Sequence, residues 1–355
     1  MKFRRLRHYF GKHKKIWTAV LIVLVLAIIS GLVYWRWLES APVSRTNPDG
    51  EGGSAEPTIK IVPSPLTGLD VSEKLAERPV TGVLIENSPQ ARPHSGLNDA
   101  GVVFDAIAEG GITRFLALYQ EAQPKLIGPV RSIRPYYVDW SMGFESSVAH
   151  VGGSEEGLRL IRTLPGARDL DQFSGGSYFF RSSDRFAPHN MYTRMSLLDK
   201  YTDAKGFGPS EFDPIPRKEP KPAKEPKAKS INIDMSSGLF RINYQYSTKH
   251  NHYLRSTGGQ KHLDRESGKQ MTSDVVVVLK MPFSLHPNGQ HSVYETLDGG
   301  EATIFQDGGV TKGTWSKASR TAMVKLKNSD GKTIELNPGK TWFVALPESR
   351  SVTYE

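Results

Sequence analysis

Between Ile16 and Trp35 the chain runs for twenty residues without a charge, IWTAVLIVLVLAIISGLVYW. At about 1.5 Å of rise per residue, a helix of that length spans the hydrocarbon core of a bilayer. Seven Lys or Arg and no acid stand in the fifteen residues before it, and positive flanks stay cytoplasmic. The pattern predicts a cytoplasmic tail over residues 1–15, a transmembrane helix over 16–37 and everything later outside the cytoplasm. The aromatic cluster Tyr34, Trp35 and Trp37 suits the headgroup belt. The apolar core is also longer than that of a cleaved signal peptide, and Ser40-Ala41-Pro42 makes a poor cleavage site, so the segment reads as an uncleaved anchor.

This anchor accounts for the basic composition. Residues 1–36 carry eight of the 46 Lys and Arg, and the remaining 38 face 37 acids. The net charge of +9 is therefore a topology signal and points away from nucleic acid as a partner. The chain has no cysteine, which excludes disulfides, thiolate metal sites and a lipidated Cys.

Two low-complexity segments divide the chain beyond the anchor. Residues 38–66, rich in Pro, Gly and Ser, read as a flexible stalk, and residues 213–230 (DPIPRKEPKPAKEPKAKS) as a semi-extended linker or long exposed loop. They frame a domain at 67–212 and another at 231–355. In the first, 80–86 and 112–119 read as buried strands, 102–108 as strand or helix, and 155–163 as a helix capped by Ser154. This predicts an α/β or α+β layer. The second reads as mostly strands, at 239–246, 275–280, 302–305, 322–326 and 341–346, with a hairpin turn at Asp330-Gly331.

Polar residues that carry chemistry concentrate in three segments of the first domain. Arg114 follows Glu109-Gly110-Gly111, and Arg131 and Arg134 stand three apart in GPVRSIRPYY. Guanidiniums held by stiff backbone grip phosphate or carboxylate bidentately. The same residues equally suit a structural network with Glu109 and Asp139 as partners. His150 and Ser154 flank Gly152-Gly153, but the spacing does not match a nucleophile elbow and favours Ser154 as a helix cap. Arg185, His189 and Asn190 fall in RFAPHNMYT, where His189 reads either as a base or donor or as a loop anchor. His250 and His252, on one face of a strand at this spacing, give a weak metal hint without a third ligand, so no metal is assigned.

The runs NSPQARPHSGLNDAGVVFDAIAEGGITRFLALYQ, IGPVRSIRPYYVDW, AHVGGS and RFAPHNMYT resemble the N-terminal domain of the YerB-like bacterial lipoproteins. YLRSTGGQKHLDRESGKQMTSDVVVV and DGKTIELNPGKTWFVALP are similar to that family's C-terminal domain. The resemblance covers roughly residues 65–350 and implies a bacterial cell-envelope location, with no activity attached. One departure is the anchor, since the YerB type is held by a lipidated Cys. A fainter similarity joins strand 112–119, SIRPYYVD and AHVGGSEEG to the LytR-CpsA-Psr phosphotransferases, which implies that Arg134 stands near the position of the Arg that grips a polyprenyl pyrophosphate there. The Asp those enzymes place near their metal has no counterpart, because Thr113 is followed by Arg114.

The leading expectation is a single-pass, extracytoplasmic protein that binds an anionic envelope component through Arg114, Arg131 and Arg134, with Glu109, His150, Ser154, Arg185, His189 and Asn190 around them. A cell-wall precursor or peptidoglycan is the expected ligand, and no cofactor is required. The enzymatic alternative is a phosphotransferase using Mg²⁺, with Glu109, Asp139 or His189 as base. The third is a scaffold for cell-wall enzymes, with structural arginines and a protein partner.

Overall fold

Runs such as TGVLIE and VVFDAIA place consecutive apolar residues on both faces of a strand, and such strands need cover on both sides. A computed structural model, describing residues 59–355, shows that cover. The anchor and most of the stalk lie outside the described residues, and no described helix is long and apolar enough to cross a membrane.

Ten strands form one large sheet: β1 (Thr81–Glu86), β2 (Val102–Glu109), β3 (Ile112–Tyr119), β4 (Ser147–His150), β5 (Arg168–Asp171), β6 (Val275–Met281), β7 (Asp298–Gln306), β8 (Gly309–Lys317), β9 (Lys325–Asn328) and β10 (Thr341–Pro347). Their spatial order is β9-β8-β7-β6-β10-β2-β3-β1-β4-β5. β10 is therefore wedged between β6 and β2, parallel to both, and the sheet draws on both halves of the sequence. Alternate residues feed two cores. Leu84, Phe104, Leu116 and Leu118 face one, and Val83, Ile85, Val103, Phe115 and Ala117 face the other. Each such fully buried large side chain contributes about 1.5–3 kcal/mol. This two-sided burial resolves 102–108, which is strand.

Among the described residues, three helices longer than one turn pack beside the sheet: α1 (Pro135–Met142), α2 (Glu155–Thr163) and α3 (Met195–Ala204). Pro135 opens α1, where its missing N–H costs nothing. Residues 136–142 are all buried, so α1 is an interior helix. The Phe104 ring stacks between Trp140 of α1 at 5.0 Å and Phe343 of β10 at 4.8 Å, tying helix and sheet together. At α2 the Ser154 hydroxyl accepts from the Gly157 N–H at 3.2 Å, and Glu155 and Glu156 complement the positive end of the helix.

The second half is mostly strands, as expected. Beyond its share of the large sheet, residues 230–233, 242–247, 252–257, 260–261 and 352–354 form a smaller antiparallel sheet with 272–273 at its side. Several boundaries differ from the sequence reading. The stalk ends earlier, because Leu66 is fully buried and residues 61–63 pair with 70–72. Val80 precedes its strand, its N–H held by the Ser210 hydroxyl at 2.9 Å. Residues 238–240 form a 3-10 turn, and the Leu239 carbonyl accepts from Arg92 instead of a strand neighbour. Residues 322–324 are turn and coil, because the Ala322 carbonyl receives the Lys317 ammonium. Segment 213–230 is extended but fastened: Lys218 N–H donates to the Leu336 carbonyl, and Arg217 reaches the carbonyls of Asn337 and Leu66. His250 lies in the turn before strand 252–257, stacked on His252 at 5.4 Å. No cluster of three or more metal-ligating residues occurs among the described residues.

Candidate functional site

Residues 128–134 run between β1 and the segment after β4. Arg131 N–H donates to the Leu84 carbonyl, its own carbonyl accepts from Val151, and Ile133 N–H donates to Gly152. Gly153 permits this approach, since a Cβ there would stand 2.6 Å from Ile133 Cγ2. The segment hands Arg131 and Arg134 to the ends of β1 and β3, where Glu86 and Arg114 are direct cross-strand neighbours.

The result is a row of alternating charges. The carboxylate of Glu86, itself buried, takes His189 Nδ1 at 2.9 Å and stands 3.4 Å from Arg131 Nε. Glu109 accepts from Arg114 at 2.8 Å through one oxygen and from Arg134 through the other. Arg114 also donates to the Ser132 carbonyl, and Arg134 to that of Ile133, both at 2.8 Å. Three guanidiniums thus meet two carboxylates, leaving one surplus positive charge. Arg131, His189 and Glu109 remain about a quarter exposed, at 25%, 25% and 27%, whereas Arg114 and Arg134 are closed off at 1% and 5%. Burial lowers the pKa of Arg131 and of Arg134. Each of the three arginines keeps a buried Nε–H without a hydrogen-bond partner. A buried unpaired donor is costly; that of Arg131 faces the Glu86 carboxylate at 3.4 Å.

Beside Arg134 the surface opens into a groove. A hairpin arm, 283–285 with 292–294, is pinned to the body through the Tyr294 hydroxyl, which accepts from Ile107 N–H and donates to the Ala345 carbonyl. Between arm and α2 lies a lobe of about 460 Å³ lined by Arg134, Glu155, Glu156, Arg159, His286 and His291. A second lobe of about 350 Å³ shares Pro135 and Glu156 and adds Asp139, Thr296 and Arg320. The groove offers groups of both signs.

The candidates divide by how they are held. Glu109, Arg114, Arg131, Arg134 and His189 converge on the row. Asp139 does not join them: it accepts from Thr296 at 2.5 Å and from Arg320, so its partner is Arg320. His150 is fully buried, with Nδ1 on the Gly152 carbonyl and Nε2 on Asp169, both at 2.9 Å. Ser154 caps α2. Arg185 donates to the carbonyls of Ala91 and Pro93, and Asn190 bonds those of Ser182 and Arg185; both brace the loop that carries His189.

A second polar system escaped the sequence reading. Arg255, with no exposed surface, donates to Asp105 at 2.7 Å and to His262 Nδ1, and His262 Nε2 meets His94 Nδ1 at 2.7 Å. His94 Nε2 reaches the Glu86 carbonyl at 2.6 Å. The pattern of donors makes both imidazoles neutral, with hydrogen bonds donated in one direction from Arg255 to Glu86. Burial pushes His94 down to about 3, His262 well below its ordinary value and Asp105 up to about 6. The guanidinium of Arg255 lies 4.6 Å from the Trp342 ring centroid and 5.4 Å from that of Phe115. Asp105 alone in the apolar run VVFDAIA was the available signal, because a charge buried on both faces demands a partner.

Family models place these features in context. Residues 66–208 match the N-terminal domain, and 231–343 the C-terminal domain, of a protein of unknown function, DUF3048. The chain belongs to this family. It is similar to the Bacillus subtilis (strain 168) protein named "Putative lipoprotein YerB", at 34% identity over 299 residues, covering 82% of this chain and 88% of that one. The crystal structure of YerB from Bacillus subtilis superposes with a TM-score of 0.75 at 30% identity, covering 82% of this chain and 99% of the crystallised one.

Proposed function

We propose that the protein is a membrane-anchored, extracytoplasmic binding protein that holds an anionic cell-envelope component, a cell-wall precursor or peptidoglycan fragment, along the arginine row and its groove. The observation that carries this reading is the surplus charge: three guanidiniums against two carboxylates at the edge of a 460 Å³ groove. Glu155 and Glu156 on the facing wall favour a ligand that also carries an ammonium group, as peptide-bearing envelope fragments do. The uncharged run at 16–35 supports placement at the outer face of the membrane, as does the lipoprotein name of the relative. Binding without turnover is favoured over phosphoryl transfer because two candidate bases are engaged by cations: Glu109 by two guanidiniums and Asp139 by Arg320.

The match spanning 99% of the crystallised relative shows that the equivalent piece folds apart from residues 1–58, so a 59–355 piece is suitable for testing. Its melting is followed with muropeptides, polyprenyl phosphate and polyprenyl pyrophosphate, each with and without Mg²⁺. A ligand at a hundredfold excess over its Kd stabilises by about 2.7 kcal/mol. The reading expects a shift that is lost in Arg131→Ala or Arg159→Ala. No shift with any ligand, or one indifferent to both substitutions, would reject it. Product formation in the Mg²⁺ arm would establish the transferase instead.

A further inference from the structure

A cavity of about 220 Å³ lies away from the arginine row, where the linker crosses the large sheet. Its walls are Phe104, Phe144, Ile215, Leu326, Leu336 and Phe343, all shielded from solvent. Met323, Val324 and Ile334, half-buried, extend this apolar lining, and Pro214, Pro216 and the exposed Asp213, Lys325, Lys327 and Thr333 complete it. An apolar cavity of about 150 Å³ with comparable walls stays dry and takes up benzene. This one is larger and only partly enclosed, so an apolar guest can enter and gain dispersion contact with its walls.

Its cover is built unlike the rest of the linker. Glu211 N–H is held by the Glu145 carboxylate at 3.1 Å, and residues 216–218 are stitched to Leu336 by two backbone bonds of 2.9 and 3.0 Å. Between those anchors, no hydrogen bond holds Phe212–Ile215 to the body among the described residues. Pro214 and Pro216 have no N–H to offer. The strap over the cavity is thus retained by Ile215 and by Phe212, whose ring lies 5.5 Å from that of Phe144.

We propose that this cavity binds one apolar chain of a membrane amphiphile, acyl or isoprenoid, with the head group left outside the strap. The apolar walls dictate the chemistry of the guest. The choice of a membrane lipid rests on the anchor reading: residues 38–58 between that helix and the described body reach at most ~75 Å when fully extended, so membrane amphiphiles are the apolar molecules at highest local concentration. The site is separate from the arginine row, so either can fail without the other.

The test is a fluorescence titration of the 59–355 piece with cis-parinaric acid. Saturable one-to-one enhancement is expected, displaced by palmitate if the site takes an acyl chain and by farnesyl phosphate if it takes an isoprenoid. Ile334→Trp and Met323→Trp each fill the space from its half-buried edge, and either should weaken binding at least tenfold with unchanged melting. Two variants keep the test decisive if one fails to fold. No saturable enhancement, or equal affinity in a Trp variant that melts like the parent, would overturn the proposal. So would displacement by a peptide of residues 36–58 as strong as by either chain, which would assign the cavity to the protein's own N-terminal segment.

Discussion

Two arginine–carboxylate systems share β1, β2 and β3, and they differ in one respect, access to water. Arg255 and Asp105 have no exposed surface, and His94 and His262 in the same chain of hydrogen bonds are buried as well. Arg131, Glu86 and His189, with Arg114, Glu109 and Arg134, form a row that solvent touches at three points. The buried pair bridges residues 150 positions apart and fixes how the halves meet. The open row joins residues of the first half and keeps one charge uncancelled. Burial, more than residue type, separates an ion pair that specifies structure from one with charge to spare for a ligand.

The largest effect should come from breaking the buried system. Asp105→Ala leaves the Arg255 charge without its counter-ion and should cost about 3–5 kcal/mol in urea unfolding. The double replacement Asp105→Leu with Arg255→Met should recover most of that loss. A single variant as stable as the parent would erase the distinction between the two systems.

Acid should act on the same system next. His94 and His262 fold with lowered pKa values, so the stability they contribute is present above their unfolded value, near 6.5, and declines as pH falls toward the folded one. Asp105 folds with a raised pKa, about 6, so its contribution is present below about 4 and declines as pH rises through 6. Two groups outweigh one, and the melting temperature should fall between about pH 6.5 and 4. In a His94→Gln variant, measured against the parent across that window, the fall should be shallower.

Glu109→Gln tests the open row. The carboxylate is partly exposed, so its loss should cost only about 1–2 kcal/mol, while affinity for an anion rises because two more half-neutralised guanidiniums are freed. A calorimetric titration that shows weaker binding in this variant would count against the row as the anion site. Smallest in stability are Arg131→Ala and His189→Ala: each takes one of two partners from the buried Glu86 carboxylate and leaves the other, so each should cost about 1 kcal/mol while ligand-induced shifts disappear.

Much of the scaffold was legible because its signals are local. Ser154 ahead of EEGLRLIRT announces a capped helix, and ITRFLALY announces a strand. The Glu109 pairing could be read from nearness to Arg114. What stayed hidden depends on distance along the chain: Arg320 lies 181 residues from the Asp139 it pairs with, and His262 lies 168 from His94. Glu86 is hard to single out because it closes an apolar run and looks like a strand end. Leu66 and Arg217, in segments whose composition suggests disorder, are fastened by contacts that only the folded body supplies.

The position of β10 also sets a timetable. Phe343 pairs with Phe104 and with Val277, so the sheet stays open at its middle until the last strand arrives, well over half the chain after β2. At about 5–20 residues per second of synthesis, β2 waits on the order of ten to fifty seconds with one hydrogen-bonding edge bare. Under the proposed export of this chain, any part of that interval spent beyond the membrane would leave the shielding of the bare edge to envelope proteins.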